Sequence, residues 1–236
     1  MYELNDILII GDSFARNRDR ETDWPMAVTL RLTGKEYDPT ISLRGKGFGG
    51  ASWWSTRKCL LEELQIKVPK VLIICHTERS RIPNDFNLGL HVGISKMPFG
   101  KIVQNDNESY VHPAMQDAVV MYYKHLYSDE YAAWSQSRWY DELDQILIGY
   151  NIPHVIHLPI FDRHNFKSGV TSVEKLVEFA DQKTESRFII NNNLGESPFR
   201  NHLLEQQNVN LAASLFDTIQ RSLPSGTVAF LNLMRT

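Results

Sequence analysis

Four aliphatic residues run directly into a Gly-Asp-Ser triplet in the stretch Ile7–Phe14, ILIIGDSF. A short aliphatic run without polar alternation is typical of a strand buried on both faces of a parallel sheet. Gly11 permits a tight turn after such a strand. Because ligands bind at the carboxyl ends of the strands in open α/β sheets, Asp12 and Ser13 are predicted to lie at that edge. An ordinary strand-to-helix turn, with Asp or Ser as a cap, is the alternative.

Aliphatic runs and helical patterns alternate along the rest of the chain. The predicted strands are Ile7–Ile10, Ile41–Leu43, Val71–Cys75, His154–Leu158 and Phe188–Ile190. The predicted helices are Trp24–Leu32 with Asp23 as N-cap, Ser52–Gln65, two stretches within Pro113–Tyr150 that break near Ser128–Asp129, Thr171–Lys183 and His202–Ser222. This alternation predicts an α/β protein with a doubly wound, mostly parallel five-stranded sheet and helices on both faces.

The length of 236 residues favours one domain with an insertion over two domains. The interval Arg79–His112 is rich in Gly, Asn, Pro and His, and it predicts a long loop or lid beside the carboxyl edge of the sheet. With the helical stretches that follow, it forms a predicted insertion at residues 79–150. The expected organisation is a single domain over residues 1–236.

Composition and charge argue against several classes of function. A net charge of −3 without a basic stripe disfavours nucleic-acid binding. Neither a basic amphipathic stretch nor an apolar run of about 20 residues indicates a membrane partner. The segment Met1–Asp6 has no secretory pattern, and Cys59 and Cys75 cannot make a disulfide framework. We expect a cytoplasmic protein, and the sequence gives no indication of its oligomeric state.

Four blocks of sequence resemble, in order, those of the SGNH (GDSL-like) hydrolases. That family has a Gly-Asp-Ser block at the first strand, a glycine after the second, a Gly-x-Asn-Asp block after the third and an Asp-x-x-His block near the C-terminus. The corresponding segments here are Gly11-Asp12-Ser13, Gly47–Ser52, Val71–Arg79 and Asn201–Leu204, the last leading into a helix with Asn208 and Ala212. The ordered set covers nearly the whole chain.

The resemblance implies a flavodoxin-like fold and a serine hydrolase that cleaves an acyl or acetyl ester. Ser13 would be the nucleophile and His202 the base that takes its proton, giving an acyl-enzyme. Backbone N–H groups of Ser13 and Gly50 would stabilise the oxyanion, with Gly49 as the alternative glycine. The expected substrate is a small-molecule or carbohydrate ester, and no cofactor is expected.

The third block departs from the family's pattern. Glu78 stands in the place of the Asn that donates to the oxyanion, and His76 stands in the place of the glycine. An ionised Glu opposes oxyanion stabilisation unless it is protonated or a neighbouring Arg79 or Arg81 compensates its charge. Asp12, His76 and Glu78 are nevertheless expected to face the substrate, because they follow the first and third predicted strands at the crevice edge.

The last block departs as well. Phe199 occupies the position of the family's Asp, which leaves Glu196 or a backbone carbonyl to orient His202. A solvent-exposed capping histidine is the alternative for His202. A flexible turn is the alternative for Gly49 and Gly50, and a salt bridge at a strand end is the alternative for Glu78. The departures keep open a second function, in which a catalytically degenerate SGNH-fold protein, of a kind found in phage, acts as a binding or structural module.

Histidines near the fourth predicted strand raise the question of a metal site. In an extended segment His154 and His157 lie on opposite faces, which argues against joint ligation. Asp162 and His164 follow the strand at the same edge, but no ligand set has the spacing of a closed site. No metal is therefore expected.

Overall fold

The structure is a computed structural model, and it describes residues 2–15, 21–45, 47, 51–83, 101–104, 107–110, 113–159, 164–171, 203 and 205–222. Within these residues the strands are β1 (Ile7–Gly11), β2 (Val71–Cys75), β3 (Lys101–Gln104), β4 (Asn107–Tyr110), β5 (His154–Leu158) and β6 (Val170–Thr171). The α-helices are α1 (Trp24–Thr33), α2 (Trp53–Ile66), α3 (Pro113–His125), α4 (Asp129–Tyr150) and α5 (Glu205–Arg221).

One parallel sheet contains four of the strands, in the order β1-β2-β5-β6. Gly11 of β1 lies opposite Cys75 of β2, which lies opposite Leu158 of β5, so the three strands end at the same level. Every residue of β1 and β2 is buried, as expected for strands covered on both faces. The predicted α/β class and these three strands are confirmed.

Alternate residues of the strands pack on opposite faces of the sheet. The face covered by α1 and α5 buries, among others, Ile7, Ile9, Val71, Ile73, Trp24, Val28, Leu211 and Leu215. The face covered by α2 and α4 buries, among others, Leu8, Ile10, Leu72, Ile74, Leu60, Leu64, Leu143 and Leu147. Helices therefore pack on both faces, as the sequence predicts.

Serine caps explain two of the helix boundaries. The side chain of Ser52 accepts a hydrogen bond from the Ser55 N–H at the start of α2, and that of Ser128 accepts from the Tyr131 N–H at the start of α4. The break predicted near Ser128–Asp129 is therefore confirmed. None of the described helices combines the length and the apolar character that crossing a membrane requires.

The second predicted strand, Ile41–Leu43, is wrong, because these residues form no strand. The neighbouring residues pair with β1 instead. The Ile9 N–H donates to the Arg44 carbonyl at 3.2 Å, and Gly47 forms an isolated parallel bridge with Gly11. Gly45 has a φ of 91°, and a Cβ at this position would collide with the Ile9 carbonyl. This close approach in a left-handed conformation prevents a regular strand next to β1.

Two further expectations are corrected. The interval predicted as a loop or lid contains an antiparallel hairpin of β3 and β4, with Gln104 opposite Asn107. Thr171 belongs to β6 rather than to the start of a helix. The remainder of the predicted helix and the predicted strand Phe188–Ile190 lie outside the described residues.

Candidate functional site

The Gly-Asp-Ser triplet forms the turn at the carboxyl end of β1. Gly11 has a φ of 150°, and a Cβ here would collide with the Cys75 carbonyl of β2, so the position requires glycine. Residues Ser13–Ala15 form a 3-10 turn. Asp12 is fully buried beneath that turn, where its Oδ1 accepts a hydrogen bond from the Phe14 N–H at 2.9 Å. The triplet therefore lies at the carboxyl end of β1, as the sequence predicts.

Arg81 connects the turn after β1 with the loop after β2. Its Nη2 lies 3.2 Å from Asp12 Oδ2 and 3.2 Å from Glu78 Oε1, and its side chain is only 8% exposed. Within the described part of the chain, Nε and Nη1 of Arg81 and Oδ2 of Asp12 have no hydrogen-bond partner. The Asp12 oxygen is ion-paired with Arg81 Nη2, whereas Nε and Nη1 of Arg81 are buried donors without an acceptor among the described residues.

The electrostatics of this cluster are set by burial. Desolvation raises the pKa of Asp12 to about 6, although the Arg81 guanidinium and the Phe14 N–H favour the ionised form. Burial also raises the pKa of the neighbouring Cys75 thiol well above its ordinary value, so this cysteine is a poor nucleophile. Glu78 is about one-third exposed and accepts a further hydrogen bond from Ser80 Oγ.

The loop that carries Glu78 and Arg81 is fastened to its surroundings at several points. Thr77 Oγ1 donates to the Ala51 carbonyl at 2.7 Å, and Gln136 Nε2 of α4 donates to the Thr77 carbonyl at 2.8 Å. The Tyr123 hydroxyl of α3 donates to the Ser80 carbonyl. These bonds restrain the loop backbone, and the contacts of Nη2 with Asp12 and Glu78 restrain the Arg81 side chain.

The two arginines after Glu78 have different partners. Arg79 pairs with the exposed Asp129 of α4 at 2.8 Å, whereas Arg81 pairs with Glu78. Of the two compensating charges considered from the sequence, it is therefore Arg81 that lies against Glu78. The alternative of a salt-bridged strand-end Glu78 agrees with the structure.

A chain of hydrogen bonds links the residue after Ser13 to the residue after His202. Trp24 Nε1 donates to the Phe14 carbonyl at 2.6 Å, and the Trp24 N–H donates to Asn208 Oδ1 at 3.2 Å. Asn208 Nδ2 in turn donates to the carbonyl of Leu203 at 3.2 Å. Phe14, Trp24 and Leu203 belong to one buried cluster. The first and last sequence blocks are thereby joined at one end of the sheet.

Asn208 has a role that the sequence did not predict. Asp23 is the N-cap residue of α1, as the sequence predicts, but its side chain makes no capping hydrogen bond; Asn208 Oδ1 accepts from the Trp24 N–H. A long-range cap of this kind has no periodic pattern in the sequence. The only indication is a polar residue among the buried positions of α5, next to Leu211 and Ala212.

A second buried polar network lies on the α4 side of the sheet. Ser168 Oγ donates to Asp144 Oδ1 at 2.5 Å, and His157 Nε2 lies 3.1 Å from Ser168 Oγ. His157 Nδ1 lies 3.0 Å from His76 Nε2. Because the Ser168 hydroxyl hydrogen points to the carboxylate, its oxygen accepts from His157 Nε2–H, and His157 Nδ1 accepts from His76 Nε2–H.

Both histidine rings of this network are held neutral. Desolvation lowers the pKa of His76 to about 3 and lowers the pKa of His157 well below its ordinary range. Phe166 stacks on His157 at a centroid distance of 3.7 Å and on His76 at 4.7 Å, which keeps water away from both rings. The sequence did not predict the roles of Asp144 and Ser168.

The predicted site residues thus separate into three groups. Asp12 and Glu78 meet at Arg81, whereas His76 belongs to the network with His157. Gly49, Gly50, His202 and the side chain of Ser13 lie outside the described residues, so their predicted contacts stay predictions. In the part of the chain that the structure describes, no three His, Cys, Asp or Glu side chains are arranged to hold a metal ion. Comparison of the chain with protein-family models, curated proteins and solved structures finds no match.

Proposed function

We propose that the protein is a serine hydrolase of the SGNH type that cleaves an acyl or acetyl ester, with Ser13 as nucleophile and His202 as base. The hydrogen-bonded chain from Phe14 through Trp24 and Asn208 to Leu203 is the observation that carries this proposal. It joins the neighbours of two residues that are 189 positions apart in the sequence. Tertiary contacts between the two blocks are what a shared Ser-His site requires.

The topology around β1 supports the same location for a ligand. Residues Arg44 and Gly47 lie along one edge of β1, and β2 lies along the other. After β1 the chain thus first passes along one side of this strand, at Arg44 and Gly47, and then forms β2 on its other side. Such a reversal is a topological switch point. Ligands of open α/β sheets bind outside the carboxyl ends of the strands at such a point. The turn that contains Ser13 follows β1 directly.

The bridge between Gly47 and Gly11 supports a role for the glycine-rich segment. Gly47 begins the block that resembles the family's second block, and it pairs with the residue two positions before Ser13. In the proposed fold, a flavodoxin-like SGNH sheet, this segment supplies the Gly50 N–H for the oxyanion, with Gly49 as the alternative. The proposed substrate is a small-molecule or carbohydrate ester.

The proposed mechanism balances its protons through one histidine. His202 takes the proton from the Ser13 hydroxyl as the oxygen attacks the ester carbonyl. The tetrahedral intermediate collapses, the leaving alcohol takes the proton from His202, and an acyl-enzyme remains. His202 then removes a proton from the water whose oxygen attacks the acyl-enzyme. It returns this proton to the Ser13 oxygen as the second tetrahedral intermediate collapses and the acid is released. Backbone N–H groups of Ser13 and Gly50 stabilise both oxyanions.

A covalent probe tests this proposal. The protein is incubated with a fluorophosphonate and, in parallel, with a short-chain nitrophenyl ester, and Ser13→Ala is compared with Ser137→Ala on α4 as matched control. We expect labelling and ester hydrolysis in the wild type and in Ser137→Ala, and neither in Ser13→Ala. A folded wild-type protein without labelling at any pH would overturn the hydrolase and support the degenerate binding module.

A further inference from the structure

Arg81 is the feature that the proposed mechanism leaves unexplained. Its side chain is more than nine-tenths buried, yet Nε and Nη1 have no hydrogen-bond partner within the described residues. Removing the N–H groups of a guanidinium from water without a partner is unfavourable. Buried polar groups of this kind call for a specific explanation, such as a catalytic role. The unpartnered donors point to a ligand with acceptor oxygens.

The position of Arg81 is tied to the nucleophile turn. Its Nη2 pairs with the carboxylate of Asp12, and that carboxylate also accepts the N–H of Phe14. Asp12 and Phe14 are the two neighbours of Ser13, so the guanidinium lies beside the backbone of that turn. Arg81 is therefore held next to the turn that follows β1 and contains Ser13.

The charge of Arg81 is already balanced by its surroundings. Glu78 Oε1 and Asp12 Oδ2 both contact Nη2, so a permanently anionic ligand would add a third negative charge to one positive charge. A neutral carbonyl oxygen meets no such repulsion at rest. Its charge develops only in the transition state, when donors that are already fixed in place are most effective.

We propose that Arg81 donates hydrogen bonds to the oxyanion formed when Ser13 attacks the ester carbonyl, and that Glu78 holds the guanidinium in position. This inference rests on the proposed function. It also explains why Glu78 stands in the place of the Asn of the resembled family. The pair of Glu78 and Arg81 would supply the oxyanion donor that the Asn amide supplies in that family. Arg81 is then a catalytic residue, and Glu78 is a positioning residue that acts through it.

The rate of fluorophosphonate labelling measures this role directly. Ser13 attacks phosphorus, its proton passes to His202, fluoride leaves, and the phosphoryl oxygen becomes more negative in the transition state. We expect Arg81→Met to lower the second-order labelling rate about 100- to 1,000-fold, as removal of an oxyanion donor does in other hydrolases. Arg79→Met, which removes the neighbouring arginine with its exposed partner, is the matched control and should label at the wild-type rate.

Glu78→Gln tests whether Glu78 acts by holding Arg81 in position or by its negative charge. The Gln side-chain oxygen still accepts from Arg81 Nη2, and one negative charge near the oxyanion is gone, so this variant should label at least as fast as the wild type. Slower labelling of the folded Glu78→Gln protein would overturn the role given to Glu78. Arg81→Lys keeps the positive charge but lacks the planar guanidinium with its several N–H donors. Its labelling rate is expected to lie between those of Arg81→Met and the wild type.

A spectroscopic readout avoids any substitution. In ¹⁵N-labelled wild-type protein, the Nε–H resonance of Arg81 should move when the Ser13 adduct forms, whereas that of Arg79 should stay in place. If Ser13 is labelled but Arg81→Met reacts at the wild-type rate and the Arg81 resonance does not move, the inference fails while the hydrolase stands. If the folded wild type is not labelled at all, both fail.

Discussion

Nε2 of His76 lies 3.0 Å from Nδ1 of His157, and both rings are buried. This pair joins the end of β2 to β5 on the α4 side of the sheet, away from the buried cluster that contains Phe14 and Trp24. The next residue in the network, Ser168, precedes β6. The hydrogen bonds thus connect the residues before β6, the last strand of the sheet as described, to β5 and the end of β2. Protonation of the two histidine rings therefore affects stability.

Protonation of the histidine pair predicts acid sensitivity. The pKa of His76 in the folded protein is about 3, below the ordinary value of 6.5, and that of His157 is also lowered. Below pH 6.5 the unfolded chain therefore binds more protons than the folded protein. The contribution of the two neutral rings to stability is fully present above this pH and is lost as the pH falls. We expect a loss of up to about 1.4 kcal/mol per pH unit for each ring. Urea unfolding at several pH values between about 7 and 5 measures this loss. An unfolding free energy that increases as the pH decreases from about 7 to 5 would contradict the prediction.

Asp12 predicts an opposing dependence. Its folded pKa of about 6 lies above the ordinary value of 3.8, so the folded state retains a proton that the unfolded state has lost. Its contribution to stability is present below pH 3.8 and is lost as the pH rises through 6. The unfolding free energy of Asp12→Asn minus that of the wild type should therefore increase with pH, by at most about 1.4 kcal/mol per pH unit. A difference that is independent of pH between about 4 and 6 would show that Asp12 titrates normally.

Gly11→Ala is expected to destabilise the protein strongly. The added methyl group meets the Cys75 carbonyl, and a φ of 150° is strained for alanine, which together cost at least about 1–3 kcal/mol. Gly149→Ala is the control, because nothing lies within 4 Å of a Cβ at that helical position. The control should gain about 0.5–1 kcal/mol. Thermal and urea unfolding of both variants give the comparison, and equal stabilities would argue against the described turn.

Asn208→Ala tests the link between the first and last sequence blocks. Loss of the amide leaves the buried Trp24 N–H without its acceptor, and we expect a loss of about 1–3 kcal/mol in unfolding free energy. If Ser13 and His202 react together, the fluorophosphonate labelling rate should also fall about 100-fold, because the two blocks lose their alignment. Asn210→Ala, an exposed position of the same helix, should change neither quantity. A destabilised Asn208→Ala protein with unchanged labelling would separate this link from catalysis.

The sequence predicts the layers of the fold because burial has a periodic pattern. The aliphatic run at Val71–Cys75 and the serine before Asp129 each have a local physical signature, and both predictions agree with the structure. The strand expected at Ile41–Leu43 fails because backbone conformation at Gly45, rather than hydrophobicity, decides the pairing with β1. Local patterns do not encode such a conformation.

The candidate site was less accessible to prediction from sequence. Asp12 and Glu78 follow strands and were expected at the crevice edge on that ground. Their meeting at Arg81, and the capping of α1 by Asn208, depend on contacts between residues far apart in the chain. Asp144 and Ser168 are 24 positions apart and carry no motif. The type and position of a residue in the sequence therefore indicate that it could belong to a site. Which residues it contacts depends on tertiary packing.

The irregular backbone at Arg44 and Gly47 has a consequence for the behaviour of the protein at high concentration. Strand β1 would otherwise expose a row of unpaired amide groups to other copies of the chain, and such edges promote aggregation. Arg44 secures this cover, since Nη2 donates to the carbonyls of Glu63 and Lys67 at the end of α2. Strand β1, in which every residue is buried, is therefore shielded from intermolecular pairing along this side by the backbone at Arg44 and Gly47.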